Sequence, residues 1–178
     1  LSGGHISGSS TSTGSFGVLK LANYNQAYGT SELNTFFGIN AGGATTISAR
    51  NVAIGHNALA QEDVGDRSVA VGYFSLYTQN SDSNNEEAAN TGVGYAAGYF
   101  NETGQNNTYI GFKSGFGTSG YSNSNNTAVG YNSLLVNRTG TENVAIGKDS
   151  MRDAITSDGT VAVGVESLYN VTSGDNNV

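Results

Sequence analysis

The sequence predicts an all-β chain, a parallel β-solenoid of rungs about 17 residues long. Three observations carry this. A short motif, Asn-x-Ala-Ile/Val-Gly, recurs along the chain, and its glycines stand at Gly38, Gly55, Gly72, Gly94, Gly111, Gly130, Gly147 and Gly164. Their spacings are 17, 17, 22, 17, 19, 17 and 17. Within most copies, β-branched residues flank a small one, the period-two pattern of a strand. The composition is turn-rich, with 26 glycines, 22 asparagines, no proline and no cysteine among 178 residues.

The elements follow in chain order. Residues 1–33 carry no repeat and read as a polar lead-in or connector, with a short apolar stretch from Val18 to Leu21. Residues 34–178 hold eight rungs. A second glycine lies three residues before the Asn/Ser position, at Gly65, Gly104, Gly140 and Gly174, so a ninth rung is expected to begin at Asn177. Three residues before each reference glycine stands Thr or Val, and one residue before it Ile, Val or Phe. These two columns share one strand face, and the Thr/Val column is read as facing the core. Between them stand Ala53, Ala70, Ala128, Ala145 and Ala162, with Gly92 as a smaller variant and Phe36 and Tyr109 as exceptions. A column of small residues suggests close approach by another backbone, and here that of a partner chain is expected. Four residues after the glycine come Leu59, Leu76, Leu134, Met151 and Leu168, which predict a second short strand with its apolar residue inward. The reference glycines mark corners where a side chain does not fit. The asparagines that open most rungs can bond turn backbone and one another along the stack.

A narrow coil of this kind buries little by itself, so several chains are expected to associate, three of them as a homotrimer. The net charge of -7 disfavours nucleic acid. The apolar runs are too short to insert in a membrane, and no charged-then-apolar leader is read at the start. The absence of cysteine excludes thiolate chemistry and disulfides.

Asn126-Thr-Ala-Val-Gly-Tyr-Asn-Ser-Leu134 and its copies resemble the repeats of bacteriophage tail fibres and of trimeric autotransporter adhesin heads. The resemblance covers about residues 34–178 and implies a parallel β-roll that trimerises. The 17-residue spacing is longer than the compact adhesin-head repeat, and two rungs carry insertions. Ile6 to Leu19 resembles a stretch found in tail-fibre and other structural proteins of marine phages. The expected function is therefore a structural fibre segment of a virion, a phage tail fibre, that presents a host-attachment surface and meets other virion proteins. The alternatives are a passive spacer with recognition elsewhere, or the head of a bacterial trimeric adhesin at the cell surface.

The position after the reference glycine is aromatic or His in five consecutive rungs: His56, Tyr73, Tyr95, Phe112 and Tyr131. Stacked, these form a ladder that either binds a host glycan or protein receptor or packs structurally. The insertions precede Asn90 and Asn126, and the second presents Phe116 and Tyr121 as further candidate contacts. Asp82, Glu86 and Glu87 could gather around calcium, but a solvated acidic loop is the plainer reading. His5 and His56 share no metal-ligand spacing. No metal or cofactor is expected, and with no nucleophile elbow or phosphate loop the chain is not read as an enzyme. Ice binding would need a regular Thr-x-Thr ladder, whereas Thr alternates with Val in its column.

Overall fold

Eight three-residue strands stack in chain order: β1 (Thr35–Phe37), β2 (Val52–Ile54), β3 (Val69–Val71), β4 (Thr91–Val93), β5 (Thr108–Ile110), β6 (Thr127–Val129), β7 (Val144–Ile146) and β8 (Val161–Val163). In this computed structural model, residues 33–82 and 87–177 are described. The strands form one parallel sheet, β1 to β8 in sequence, and each pairs with the next in unbroken register, as in Val52↔Val69 and Ala53↔Ala70. The chain is thus a β-solenoid, with the repeat of the sequence appearing as one turn of the coil. The ladder of backbone bonds runs on past the eighth strand. Val161 N–H donates to Asn177 C=O at 2.8 Å, as Val144 N–H does to Thr160 C=O one rung earlier at 2.9 Å.

The strands are short because backbone of positive φ bounds them. Each reference glycine from Gly38 to Gly164 has φ between +130° and +140°. A Cβ on Gly94 would lie 2.3 Å from the carbonyl oxygen of Gly111 above it. The second leg is not a β-strand as the sequence suggested. Its residues two and four after the glycine, such as Asn57 and Leu59, also have positive φ, near +50° to +60°. Regular strand geometry is excluded there. Backbone bonds still stitch the leg from rung to rung: Phe74 N–H to His56 C=O at 3.1 Å, and Leu76 N–H to Ala97 C=O at 2.9 Å.

The interior is built from three columns. The alanines Ala53, Ala70, Ala128, Ala145 and Ala162 point into the coil and are buried. Facing them are Leu59, Leu76, Leu134 and Met151, and beside these a column of Ala or Ser. Its serines are satisfied by donating across the coil to carbonyls of the alanine column: Ser114 Oγ to Ala128 O at 2.7 Å and Ser133 Oγ to Ala145 O at 2.7 Å. The close neighbour of the alanine column is therefore the second leg of the same chain, not a partner. The Thr/Val and Ile/Val/Phe columns point outward, opposite to the core-facing reading of the Thr column.

Volume exchange explains the exceptions. Phe36 and Tyr109 stand in the alanine column and are buried, and in their rungs the inward leucine is replaced by Gly42 and Gly115. A Cβ at Gly42 would meet the Phe36 ring at 2.5 Å, and one at Gly115 would meet Tyr109 Cδ1 at 2.1 Å. Gly92 and Gly98 share a rung with neither bulky group. Leu76 fills their space from one side, and Tyr109 fills it at Gly98 from the other.

The asparagine column holds the turns. Asn51 Nδ2 donates to Gly65 C=O of its own rung at 2.8 Å, while its Oδ1 accepts from Ser68 N–H of the next at 2.7 Å. Asn90, Asn107, Asn126 and Asn143 each repeat the bond to the next rung's amide, at 2.8–3.0 Å. Stacked carboxamides also bond one another, Asn107 Nδ2 to Asn90 Oδ1 at 3.0 Å. Ser68, with its shorter side chain, makes only a longer bond to the next rung, accepting from Asn90 N–H at 3.4 Å. Gln79 replaces the missing carboxamide, donating to Ser68 Oγ at 2.8 Å and accepting from Asn90 Nδ2 at 3.0 Å. The fully buried carboxylate of Glu62 accepts from Gln79 Nε2 at 2.7 Å and Gly65 N–H at 2.6 Å.

Candidate functional site

Two outward surfaces stand out. The first is the outer face of the sheet. Its columns are Thr or Val at the start of each strand and Phe37, Ile54, Val71, Val93, Ile110, Val129, Ile146 and Val163 at the end. Phe37, Ile54, Ile110, Ile146 and Val163 are exposed. The face carries no charge over its eight strands, and its other outward residues are half-buried apart from the exposed Thr35.

The second surface is the outer side of the second leg. Tyr73, Tyr95, Phe112 and Tyr131 form the predicted ladder and are 41–50% exposed. Successive ring centroids lie 5.7, 4.9 and 5.1 Å apart, with planes within 11° of parallel. His56 extends the ladder, tilted 36° against Tyr73 at 5.1 Å. The rings therefore face one another along the stack, and solvent meets their edges and the tyrosine hydroxyls. An aromatic ring stacks on a sugar through its face, so within this ladder that mode of contact is used up by the neighbouring rings.

A second ladder runs beside the first, which the sequence reading missed. Tyr77, Tyr99 and Phe116 stack with centroids 5.1 and 5.3 Å apart. Phe74 and Phe100 pack edge-on against it, Phe74 at 4.9 Å from Tyr77 and Phe100 at 5.2 Å from Phe116. The signal was legible: an aromatic recurs five residues after the reference glycine, at Tyr77, Tyr99, Phe116 and Tyr169. Phe116 thus belongs to this ladder and not to a projecting loop. Lys113 joins the two ladders, its Nζ 5.7 Å from the Phe112 centroid and 5.2 Å from that of Phe116. Burial, helped by the nearby Tyr77, Tyr95 and Tyr73, pushes the Tyr99 phenol above its ordinary value.

Tyr121 stands apart, exposed, with the Arg138 guanidinium 5.4 Å over its ring. Of the acidic candidates, Glu87 pairs with Arg67, and Glu86 lies outside the described residues, as do His5 and the lead-in stretch 1–32. Among the described residues no group of three or more His, Asp or Glu is placed to hold a metal ion. No described helix is long and apolar enough to cross a membrane. No family model matches the chain, and neither a curated protein nor a solved structure matches it.

Proposed function

We propose that this chain is a segment of a trimeric fibre on a virion, in the first instance a phage tail fibre, and that it presents a host-attachment surface. The observation that carries the proposal is the charge-free outer face of the β1–β8 sheet. Eight strands leave two continuous columns of Thr, Val, Ile and Phe half-buried or exposed, a surface that a neighbouring copy of itself can cover. The seam is this face, and the alanine column is excluded from it because it lies inside the coil. Three copies so joined make a stiff rod whose second legs face outward, where repeated weak contacts gain from avidity.

The experiment is the native mass in solution, by light scattering or native mass spectrometry. Three times the 18.3 kDa chain is expected. Ile54→Lys with Ile110→Lys should return the protein to monomers with the β signature intact, since both side chains lie on the exposed face. A folded wild-type monomer at micromolar concentration would overturn the proposal. A second reading, a passive spacer, is favoured by the face-to-face stacking of the ladder rings, which gives them structural work. A fibre shortened by these rungs that attaches to host cells unchanged would select the spacer.

A further inference from the structure

We infer that the double aromatic ladder is a binding stripe for an acidic polysaccharide lying parallel to the solenoid axis, with Lys113 as its anchoring cation. The inference deepens the attachment reading above and rests on it for its biological meaning, but not for its chemistry. An aromatic ring carries negative charge on its faces and positive charge at its edge. Because the rings of Tyr73, Tyr95, Phe112 and Tyr131 stack on one another, the surface shows their edges. Three of these four also offer a phenolic hydroxyl as donor. Such a stripe suits oxygen acceptors.

The charge pattern adds to this. Across the rungs of Tyr73, Tyr95 and Phe112, the outward positions of the second leg hold one charged residue, Lys113. Among the described residues no carboxylate lies within ion-pair distance of it, whereas Lys148 and Arg152 are engaged with Asp149 and Asp153. Its ammonium sits between the two ladders, against Phe112 and Phe116. Among the described residues, an otherwise acidic chain thus places a cation without an ion pair in the aromatic patch. The ladders repeat at 4.9–5.7 Å, a pitch that matches successive sugars of an extended chain and that runs along the axis.

The test uses the full chain and affinity electrophoresis or calorimetry with a polyuronate, a sulfated dextran, neutral dextran and polyglutamate. Binding to the polyuronate or the sulfated dextran, weakened by added salt, is expected, and the arm that binds identifies the acid group. Lys113→Gln should weaken it about ten-fold, the loss of one charge-assisted bond. Tyr99→Ala, which opens the second ladder, should weaken it as well. Lys113→Gln is to be checked for unchanged melting, and both variants for a retained β signature and native mass at the assay temperature. Equal binding to neutral dextran, equal binding to polyglutamate, indifference to Lys113→Gln, or no binding to either acidic polymer would each overturn the inference. A monomeric native mass with acidic-polymer binding intact would instead sink the fibre reading and leave this one standing.

Discussion

Tyr109 and Gly115 should be exchangeable as a pair and not singly. Tyr109→Ala removes a fully buried ring, and the cavity costs about 4 kcal/mol by the usual scale for aromatic truncation. Its hydrogen-bond acceptor, Asn123 Oδ1, keeps a bond from Asn126 Nδ2 at 3.0 Å, so little is added by an orphaned acceptor. Gly115→Leu alone drives a Cβ to 2.1 Å from Tyr109 Cδ1 and should cost about 2 kcal/mol or more through overpacking. The double variant restores the standard rung, with Ala in the column and Leu four residues after the glycine. Leucine accepts positive φ at that position in the rungs of Leu59, Leu76, Leu134 and Leu168. What remains is about 1–2 kcal/mol for the left-handed backbone and a partly empty layer at Gly92 and Gly98. The double variant should therefore lose about 3 kcal/mol, where independent effects predict about 6, a coupling near the top of the range for residues in contact. Urea unfolding followed by far-UV circular dichroism, analysed as a cycle, reads this directly. Additive single and double variants would refute the idea that the two positions share one volume.

Four further outcomes follow from the packing. Gly94→Ala should destabilise by about 3 kcal/mol, combining backbone strain at φ +134° with a clash against Gly111 O, and thermal melts would show it. Asn126→Ala deletes the staple to Gly140 C=O at 2.9 Å and the acceptor for Asn143 N–H at 3.0 Å, which should lower stability by about 2–4 kcal/mol in the same assay. Ser157→Gly should instead raise stability by about 1 kcal/mol, because the buried Ser157 Oγ has no partner and Gly140, one rung earlier, shows that glycine fits. Burial holds the Tyr109 phenol neutral well above its ordinary value. The unfolded chain releases that proton near pH 10 while the folded one keeps it, so stability present below pH 10 falls as pH rises beyond it. Phenolate absorbance should then show one tyrosine that ionises only on unfolding, an effect abolished by Tyr109→Phe.

How much of this was legible in the sequence depended on whether a signal was periodic or paired. The glycine column was legible because its requirement repeats: each corner rises directly onto the next, and Gly38 to Gly147 all face a carbonyl oxygen within 2.5 Å of a notional Cβ. The asparagine column was legible for the same reason. The second ladder was periodic as well, at Tyr77, Tyr99 and Phe116, but its column is weaker, holding Ala60, Leu135 and Arg152 in other rungs. The Ser68–Gln79–Glu62 network was legible only in part. Glu62 and Gln79 share a polar column with Asn101 and Asn137, each seven residues after a reference glycine, but the repair of the asparagine missing at Ser68 joins two different columns, 11 residues apart, and no repeat announces that pairing.

The inverted faces of the strand show where periodicity itself falls short. Alternation says that Val52 and Ile54 share one side and Ala53 takes the other, but period two carries parity and no sign. Hydrophobicity then suggests the β-branched side as core, since larger apolar residues are the ones usually buried. Volume decides otherwise. The coil is so narrow that an inward leucine from the second leg leaves room opposite only for alanine, and a phenyl ring fits only where that leucine has become glycine. The sequence held this evidence in Phe36 with Gly42 and in Tyr109 with Gly115, each pair six residues apart. A large residue in one column matched by glycine in another means that the two columns occupy the same space. Both must then be inside, and the β-branched columns, however apolar, must lie on the outer face. The same reasoning relocates the proposed seam between chains: an interior already closed by its own second leg has nothing to offer a partner, while the Thr, Val and Ile columns point outward from the described coil, half-buried or exposed.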